Sequence, residues 1–128
     1  MIHPTAKINP TASVDPTAHV GPHVQIGDNV VVGAGATIGA FSHLCDGAKI
    51  GDGTELFCCV EIGQDCEIGK NSWMGTSVAI GADSKIGDNV IIFFQCKIGQ
   101  HVRIKRGVTL GAYSQIGDDS SVGCVGKV

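Results

Sequence analysis

The sequence predicts an all-β, single-domain repeat protein, and three observations lead to this prediction. An aliphatic residue recurs at every sixth position, glycine follows it in most of the six-residue units, and proline is concentrated in the first units. A period of six matches neither an amphipathic helix nor the two-residue alternation of a simple strand. It is typical of a repeat architecture, so we expect one domain over residues 1–128.

The aliphatic series begins at Ile2, ends at Val128 and occupies 22 positions without a slip. A small or branched side chain usually stands two residues earlier. Alternate residues of a strand share a face, so both positions are expected to point inward, and Ile68 and Ile86 are predicted to be buried. Proline removes a backbone donor and suits an end coil, which predicts such a coil at the N-terminal units. These units carry Pro4, Pro10, Pro16 and Pro22.

The composition argues against several classes of protein. The chain is 43% hydrophobic but only 5% aromatic, with 19 glycines, which suits tight turns and a narrow interior. A net charge of -3 gives no sign of a nucleic-acid surface. No apolar run reaches the roughly 20 residues of a transmembrane segment, and no signal peptide is recognisable. The six cysteines lack metal-site spacing. We therefore expect no metal, and reduced thiols in a cytoplasmic protein.

The hexads, together with the opening IHPTAKINPTASVDPTAHVG, resemble the hexapeptide-repeat family of left-handed parallel β-helix proteins. The similarity extends over essentially the whole chain. It implies three hexads per triangular coil, and therefore 18 residues per coil, about seven coils and a rise of about 4.8 Å per coil. The resemblance also implies a homotrimer with parallel helix axes.

Within that family, the opening and residues 91–104 look most like the UDP-3-O-acylglucosamine N-acyltransferases of lipid A synthesis and the nucleotide-sugar N-acyltransferases. This implies transfer of an acyl group from a thioester to a sugar or nucleotide-sugar amine or hydroxyl. The thioester of coenzyme A or of acyl carrier protein would be the co-substrate, with no tightly bound cofactor. The family's catalytic histidine stands two places after the aliphatic residue. Gln100 holds that place here, and His101 follows it.

His101 is the first candidate for a catalytic base. The 18-residue spacing aligns it with Asp83 one coil before and Asp119 one coil after. A neighbouring carboxylate fixes the tautomer of an imidazole and raises its basicity, as a general base requires. The alternative is that these polar residues merely occupy corners of the coil.

His43 is the second candidate, because Glu61 lies 18 residues beyond it and would be its neighbour in the next coil. An exposed ion pair without catalytic consequence is the alternative.

Six aromatic residues are predicted on one side of the prism. A narrow β-helix interior has little room for them, so most should face outward, either as the trimer contact or as a slot for an acyl chain or pantetheine arm. They are Phe41, Phe57, Trp73, Phe93, Phe94 and Tyr113. The predicted substrate-binding residues are Phe57, Trp73, Phe93, Phe94, Gln95, Lys97, Gln100 and Arg103.

Basic residues gather in the same part of the sequence, with no acid between Asp88 and Asp118. They could hold the phosphates of coenzyme A or an acidic acyl carrier protein, or simply form a solvated face. They are Lys97, Arg103, Lys105 and Arg106. The sequence therefore favours an acyltransferase. The rival function is that of a non-catalytic scaffold or assembly subunit, and the uninterrupted repeat favours this rival.

Overall fold

A computed structural model describes residues 2–123 and contains twenty strands of two residues each. In chain order they are β1 (Lys7–Ile8), β2 (Ser13–Val14), β3 (His19–Val20), β4 (Gln25–Ile26), β5 (Val31–Val32), β6 (Thr37–Ile38), β7 (His43–Leu44), β8 (Lys49–Ile50), β9 (Glu55–Leu56), β10 (Glu61–Ile62), β11 (Glu67–Ile68), β12 (Trp73–Met74), β13 (Ala79–Ile80), β14 (Lys85–Ile86), β15 (Ile91–Ile92), β16 (Lys97–Ile98), β17 (Arg103–Ile104), β18 (Thr109–Leu110), β19 (Gln115–Ile116) and β20 (Ser121–Val122).

The strands form three parallel sheets, one for each side of a triangular coil. Sheet 1 runs β1-β4-β7-β10-β13-β16-β19, sheet 2 runs β2-β5-β8-β11-β14-β17-β20, and sheet 3 runs β3-β6-β9-β12-β15-β18. Residues 18 apart are paired, as Glu61 is with Ala79 and Ile62 with Ile80. The register confirms the predicted coil of three hexads.

The coil count differs slightly from the prediction of about seven. The described residues make six complete three-strand coils, and β19 and β20 begin a further one. Before β1, Ile2 contributes only an isolated bridge to Val20. Val128, the last member of the aliphatic series, lies outside the described residues.

Two inward-facing columns fill the core on each side. Ile68 and Ile86 are each 3% exposed, which confirms their predicted burial. The second column carries small side chains, and its hydroxyls are bonded within the stack. The Ser72 hydroxyl donates to the Gly87 carbonyl at 3.0 Å and accepts the Val90 N–H at 3.2 Å. No buried side-chain nitrogen or oxygen in the described part of the chain lacks a hydrogen-bond partner.

From residue 23 onward, each corner of the coil contains one residue in the left-handed conformation, with φ between 54° and 77°. Corner 1 joins sheet 1 to sheet 2, corner 2 joins sheet 2 to sheet 3, and corner 3 joins sheet 3 to sheet 1. The left-handed residues of corner 1 are Asn29, Gly47, Asp65, Asp83, His101 and Asp119. Those of corner 2 are Gly35, Gly53, Asn71, Asn89 and Gly107. Those of corner 3 are His23, Phe41, Cys59, Ser77, Gln95 and Tyr113.

The proline-containing units form the N-terminal end of the stack, as predicted. In later coils the N–H of the left-handed corner residue donates to a backbone carbonyl of the preceding coil, as that of Phe41 does to Pro22 O. Toward the first coil, a threonine hydroxyl accepts this N–H instead. Thr5 Oγ1 accepts the His23 N–H at 3.0 Å, and Thr11 Oγ1 accepts the Asn29 N–H at 2.9 Å. Among the described residues there is no helix with the length and apolarity needed to cross a membrane.

Candidate active site

Corner 1 stacks His101 between Asp83 and Asp119, each one coil away. Backbone hydrogen bonds fix the three residues at this corner. The Asp83 N–H donates to Gln64 O at 2.8 Å, the His101 N–H to Ala82 O at 3.0 Å, and the Asp119 N–H to Gln100 O at 2.8 Å. All three side chains are exposed. The arrangement presents an imidazole to solvent with a carboxylate on either side.

The backbone alone accounts for the residue types at this corner. Aspartate, asparagine and histidine are enriched in the left-handed region, and every residue of the column from Asn29 to Asp119 has a φ in that region. Within residues 2–123 the His101 ring forms no hydrogen bond with either carboxylate. The imidazole is therefore free to contact a ligand.

Gln100 lies beside the imidazole and turns its side chain to solvent. Its N–H donates to Asp118 Oδ1 at 2.9 Å. The same kind of cap occurs elsewhere, where Asp88 Oδ1 accepts the Lys70 N–H at 2.8 Å. Gln100 thus belongs to a capped turn, and its amide group is available beside His101.

His43 is placed on a different surface. It lies on β7 with its side chain outward, and it is paired in register with Glu61 of β10 and Gln25 of β4. The predicted adjacency of His43 and Glu61 is therefore present. The fold does not bring His43 near His101, which lies at corner 1 three coils further along the stack.

The aromatic residues lie where the sequence placed them, at corner 3 and on the adjoining edge of sheet 3. Phe57, Phe93, Phe94, Phe41 and Tyr113 face outward, with exposed fractions from 40% to 65%. This confirms the outward orientation predicted for most of the set.

The rings also contact one another. Trp73 is half-buried and lies between Phe57 and Phe93, with centroid distances of 6.4 Å and 5.9 Å. The column position between the two phenylalanines is Gly75, where a Cβ would lie 2.9 Å from the Phe94 backbone nitrogen. Phe94 meets the ring of Tyr113 edge to face at 6.0 Å. These outward-facing rings form an aromatic strip along corner 3, with one group of contacts around Trp73 and another between Phe94 and Tyr113.

Corner 3 departs from the residue types of the other two corners, a difference that was not predicted from the sequence. At corners 1 and 2 all left-handed residues are Asn, Asp, Gly or His. At corner 3 the same position holds Phe41, Cys59, Ser77, Gln95 and Tyr113. The signal in the sequence lies three residues after the buried aliphatic residue of each hexad. At corner 3, Phe41 and Tyr113 replace the usual Asn, Asp or Gly at this position.

The predicted basic patch is divided between two faces. Lys97 points outward from sheet 1, whereas Arg103 points outward from sheet 2. Lys105 and Arg106 follow at corner 2. Residues six apart occupy successive sides of the coil, so closeness in sequence does not bring Lys97 to Arg103. Arg103 and Lys105 share a surface depression.

Five cysteines in the described residues are free. Burial raises the pKa of the Cys66 thiol, whose Sγ donates to Gly81 O at 2.8 Å. Burial also raises the pKa of the Cys45 thiol, and the nearby Glu61 carboxylate adds to the effect. Neither environment activates a nucleophile. No group of three or more His, Cys, Asp or Glu in the part of the chain that the structure describes is placed to hold a metal ion.

Known proteins share both sequence and structure with this chain. A family model described as the GMPPB C-terminal domain matches residues 2–78, which is more than half of the chain. The chain belongs to the GMPPB C-terminal domain family. No curated protein sequence matches it.

Solved structures share the fold of this GMPPB C-terminal domain family member. LpxA, a UDP-N-acetylglucosamine acyltransferase from Bacteroides fragilis, is 24% identical with a TM-score of 0.90, over 94% of this chain and 55% of that chain. A mutant of perosamine N-acetyltransferase from Caulobacter crescentus, in complex with CoA and GDP-perosamine, is 19% identical with a TM-score of 0.69, over 94% and 54%. The acetyltransferase domain of PglB from Neisseria gonorrhoeae, in complex with acetyl coenzyme A, is 23% identical with a TM-score of 0.53, over 96% and 53%.

The chain therefore spans about half the length of the solved structures that it matches. These neighbours are hexapeptide-repeat acyltransferases. Their likeness confirms the predicted left-handed parallel β-helix and the resemblance to that family.

Proposed function

We propose that the chain is an acyltransferase that moves an acyl group from a thioester donor to an amine or hydroxyl of a sugar or nucleotide sugar. The observation that carries the proposal is the exposed imidazole of His101, stacked between the carboxylates of Asp83 and Asp119. Neighbours of the same fold, solved with coenzyme A, acetyl coenzyme A or a nucleotide sugar, support the substrate classes. Acyl carrier protein is the alternative donor.

In the proposed reaction, His101 takes a proton from the acceptor as its nitrogen or oxygen attacks the thioester carbonyl carbon. The carbon–sulfur bond of the tetrahedral intermediate then breaks. The protonated imidazole returns its proton to the departing thiolate. Asp83 and Asp119 flank the imidazole from one coil away on either side and would influence its orientation.

Ala82 supplies the oxyanion donor in this proposal. Its carbonyl accepts the His101 N–H at 3.0 Å, so its own amide belongs to the turn beside the base. Asp118 caps the amide of Gln100, but within residues 2–123 the amide of Ala82 has no acceptor. A free backbone N–H next to the base is the kind of donor that stabilises a developing oxyanion.

A homotrimer would complete the site. In one chain, sheet 1 separates the aromatic strip at corner 3 from His101 at corner 1. We therefore propose that a neighbouring copy brings an aromatic strip toward His101. Phe57, Trp73 and Phe93 would then contact the acyl chain or pantetheine arm.

The direct test is turnover of acetyl-CoA and acyl-carrier-protein thioesters with sugar and nucleotide-sugar acceptors. Removing a positioned base typically lowers the rate about 10²–10⁴-fold, and we expect this of His101→Ala. Asp83→Asn and Asp119→Asn should lower it less, because they adjust the imidazole and transfer no proton. His43→Ala is the matched control and should keep its rate. Full turnover by His101→Ala would show that the proposed base is wrong.

A second candidate function is that of a non-catalytic assembly domain. The specific observation in its favour is the match of residues 2–78 to a family described as a C-terminal domain. The matched residues include Phe41, Phe57 and Trp73 of the aromatic strip, but not His101. If calorimetry detects no binding of any thioester donor while the chain still self-associates, the assembly function replaces the catalytic one.

A further inference from the structure

The outward face of sheet 2 carries a row of cations. In successive coils its outward residues are paired in register as Lys49, Glu67, Lys85, Arg103 and Ser121. The other two sheets have no such row in the described residues. Sheet 3 presents neither Lys nor Arg, and the two lysines of sheet 1, on β1 and β16, lie five coils apart.

Lys85 and Arg103 are direct neighbours on adjacent strands, and both are exposed. Like charges placed opposite each other destabilise a sheet. Glu67 is paired in register with both Lys49 and Lys85, so its one negative charge offsets only part of the positive charge of the row. Arg103 has Ser121 as its other neighbour, so no acid faces it within the row. The pair costs stability in the absence of an anion.

The row forms one wall of a surface depression of about 530 Å³. Lys105 lies at the same level as Arg103, two residues further along, and extends the positive charge toward corner 2. The acids that line the depression are Glu67 and Asp88, and Asp88 Oδ1 already accepts the Lys70 N–H. Four cations therefore face two acids, in a chain whose net charge is -3.

We propose that this depression binds a phosphate-bearing ligand through a diphosphate group held by Lys85, Arg103 and Lys105. The guanidinium offers paired donors to phosphate oxygens, and the two ammonium groups supply point charges. Adjacent coils are about 4.8 Å apart, and two residues along a strand span about 6.6 Å. Cations at these spacings suit a group with several anionic oxygens better than a single carboxylate.

The three cations lie apart from the aromatic strip of the same chain. Sheet 2 is the side opposite corner 3, so a chain's own strip does not cover the depression. His101 stands at corner 1 on the same coil as Arg103, and it is not among the residues that line the depression.

Titration of the full chain with inorganic pyrophosphate, followed by calorimetry, tests the proposal. We expect saturable binding of one pyrophosphate per chain, weakened by added NaCl as exposed charge interactions are screened. Arg103→Gln and Lys85→Gln should each weaken binding about tenfold, and the double variant should abolish it. Lys7→Gln, an exposed lysine on sheet 1, is the matched control and should bind normally.

Unchanged binding by the double variant, or an equal loss in Lys7→Gln, would overturn the site. Because these side chains point into solvent, circular dichroism should show the same fold for every variant. A nucleoside diphosphate serves as a second probe, and tighter binding than pyrophosphate would identify a nucleotide as the source of the diphosphate. Pyrophosphate binding is measured by calorimetry without any thioester, so a failure of the acyltransferase proposal would not change this result.

Discussion

The left-handed residues of corner 3 carry the clearest sign of function at the scale of single residues. A left-handed backbone costs an ordinary residue roughly 1–2 kcal/mol, and glycine or asparagine largely avoids that cost. The left-handed residues of corners 1 and 2 are Asn, Asp, Gly or His, whereas corner 3 places Phe41 and Tyr113 in the same conformation. Strain of this kind persists where the side chain is needed. The strip is therefore better explained by what it contacts than by the stability of its own coil.

A substitution at Gln100 tests the proposed role of the Ala82 amide as oxyanion donor. A shorter side chain at this position should cap that amide as Asp118 caps the amide of Gln100 at 2.9 Å. We expect Gln100→Asn to lower turnover about 10²-fold, since the oxyanion donor would be occupied, and to leave thermal stability equal or slightly higher. The asparagine is neutral, so the charge around His101 does not change. Unaltered turnover in Gln100→Asn would rule out Ala82 as the donor.

The raised pKa of the Cys66 thiol predicts that the free energy of unfolding depends on pH. Burial raises the pKa of this thiol in the folded chain, whereas the unfolded thiol titrates near its usual value of about 8.5. A raised folded pKa gives a contribution that is complete below the unfolded pKa and is lost as pH rises through the folded pKa. Urea unfolding should therefore show stability falling above about pH 8.5, with a shallower fall in Cys66→Ala. Equal slopes for the two proteins would contradict this.

At the scale of the coil, the sequence was sufficient to predict the stacking but not the corner conformations. The six-residue period predicted the columns, and the pairing of Glu61 with Ala79 confirms them. Propensity alone argues against a left-handed Phe41, so only its repeat position, three residues after Ile38, indicated that conformation. Lys97 and Arg103 were grouped by their closeness in sequence, although a step of six residues moves to the next side of the prism. The chemistry at His101 depends on a ligand, which no pattern of hexads specifies.

Close approach between coils makes some glycines indispensable, and Gly39 is the sharpest case. A Cβ there would overlap the Phe57 carbonyl oxygen of the next coil. Gly111 occupies the same place in its coil, but a Cβ there would meet nothing within 4 Å. We expect Gly39→Ala to lower the free energy of unfolding by about 3 kcal/mol, and Gly111→Ala to change it by less than about 1 kcal/mol. Equal urea midpoints for the two variants would argue against the stacking distance at corner 3.

The whole molecule distributes different chemistry around one prism. Corner 3 carries the apolar strip, corner 1 carries His101 between carboxylates, and sheet 2 carries the row of cations. The rigid stack keeps these surfaces apart, so a single chain cannot fold one onto another. Reactions that need two of them together require either a long ligand or a second copy of the chain.

The proposed homotrimer is the prediction that belongs to this scale. The aromatic strip exposes several rings in one chain, and contiguous apolar surface of this kind usually marks an interface. Light scattering at micromolar concentration should give about three times the 13.2 kDa of one chain. Phe57→Asp and Phe93→Asp should each shift the mass toward the monomer, because a charge buried without a partner in the contact is costly. Val31→Asp is the matched control, since Val31 is 41% exposed on sheet 2, away from corner 3, and its replacement should leave the trimer intact. A monomeric wild-type chain, or dissociation by Val31→Asp as well, would remove corner 3 as the specific contact.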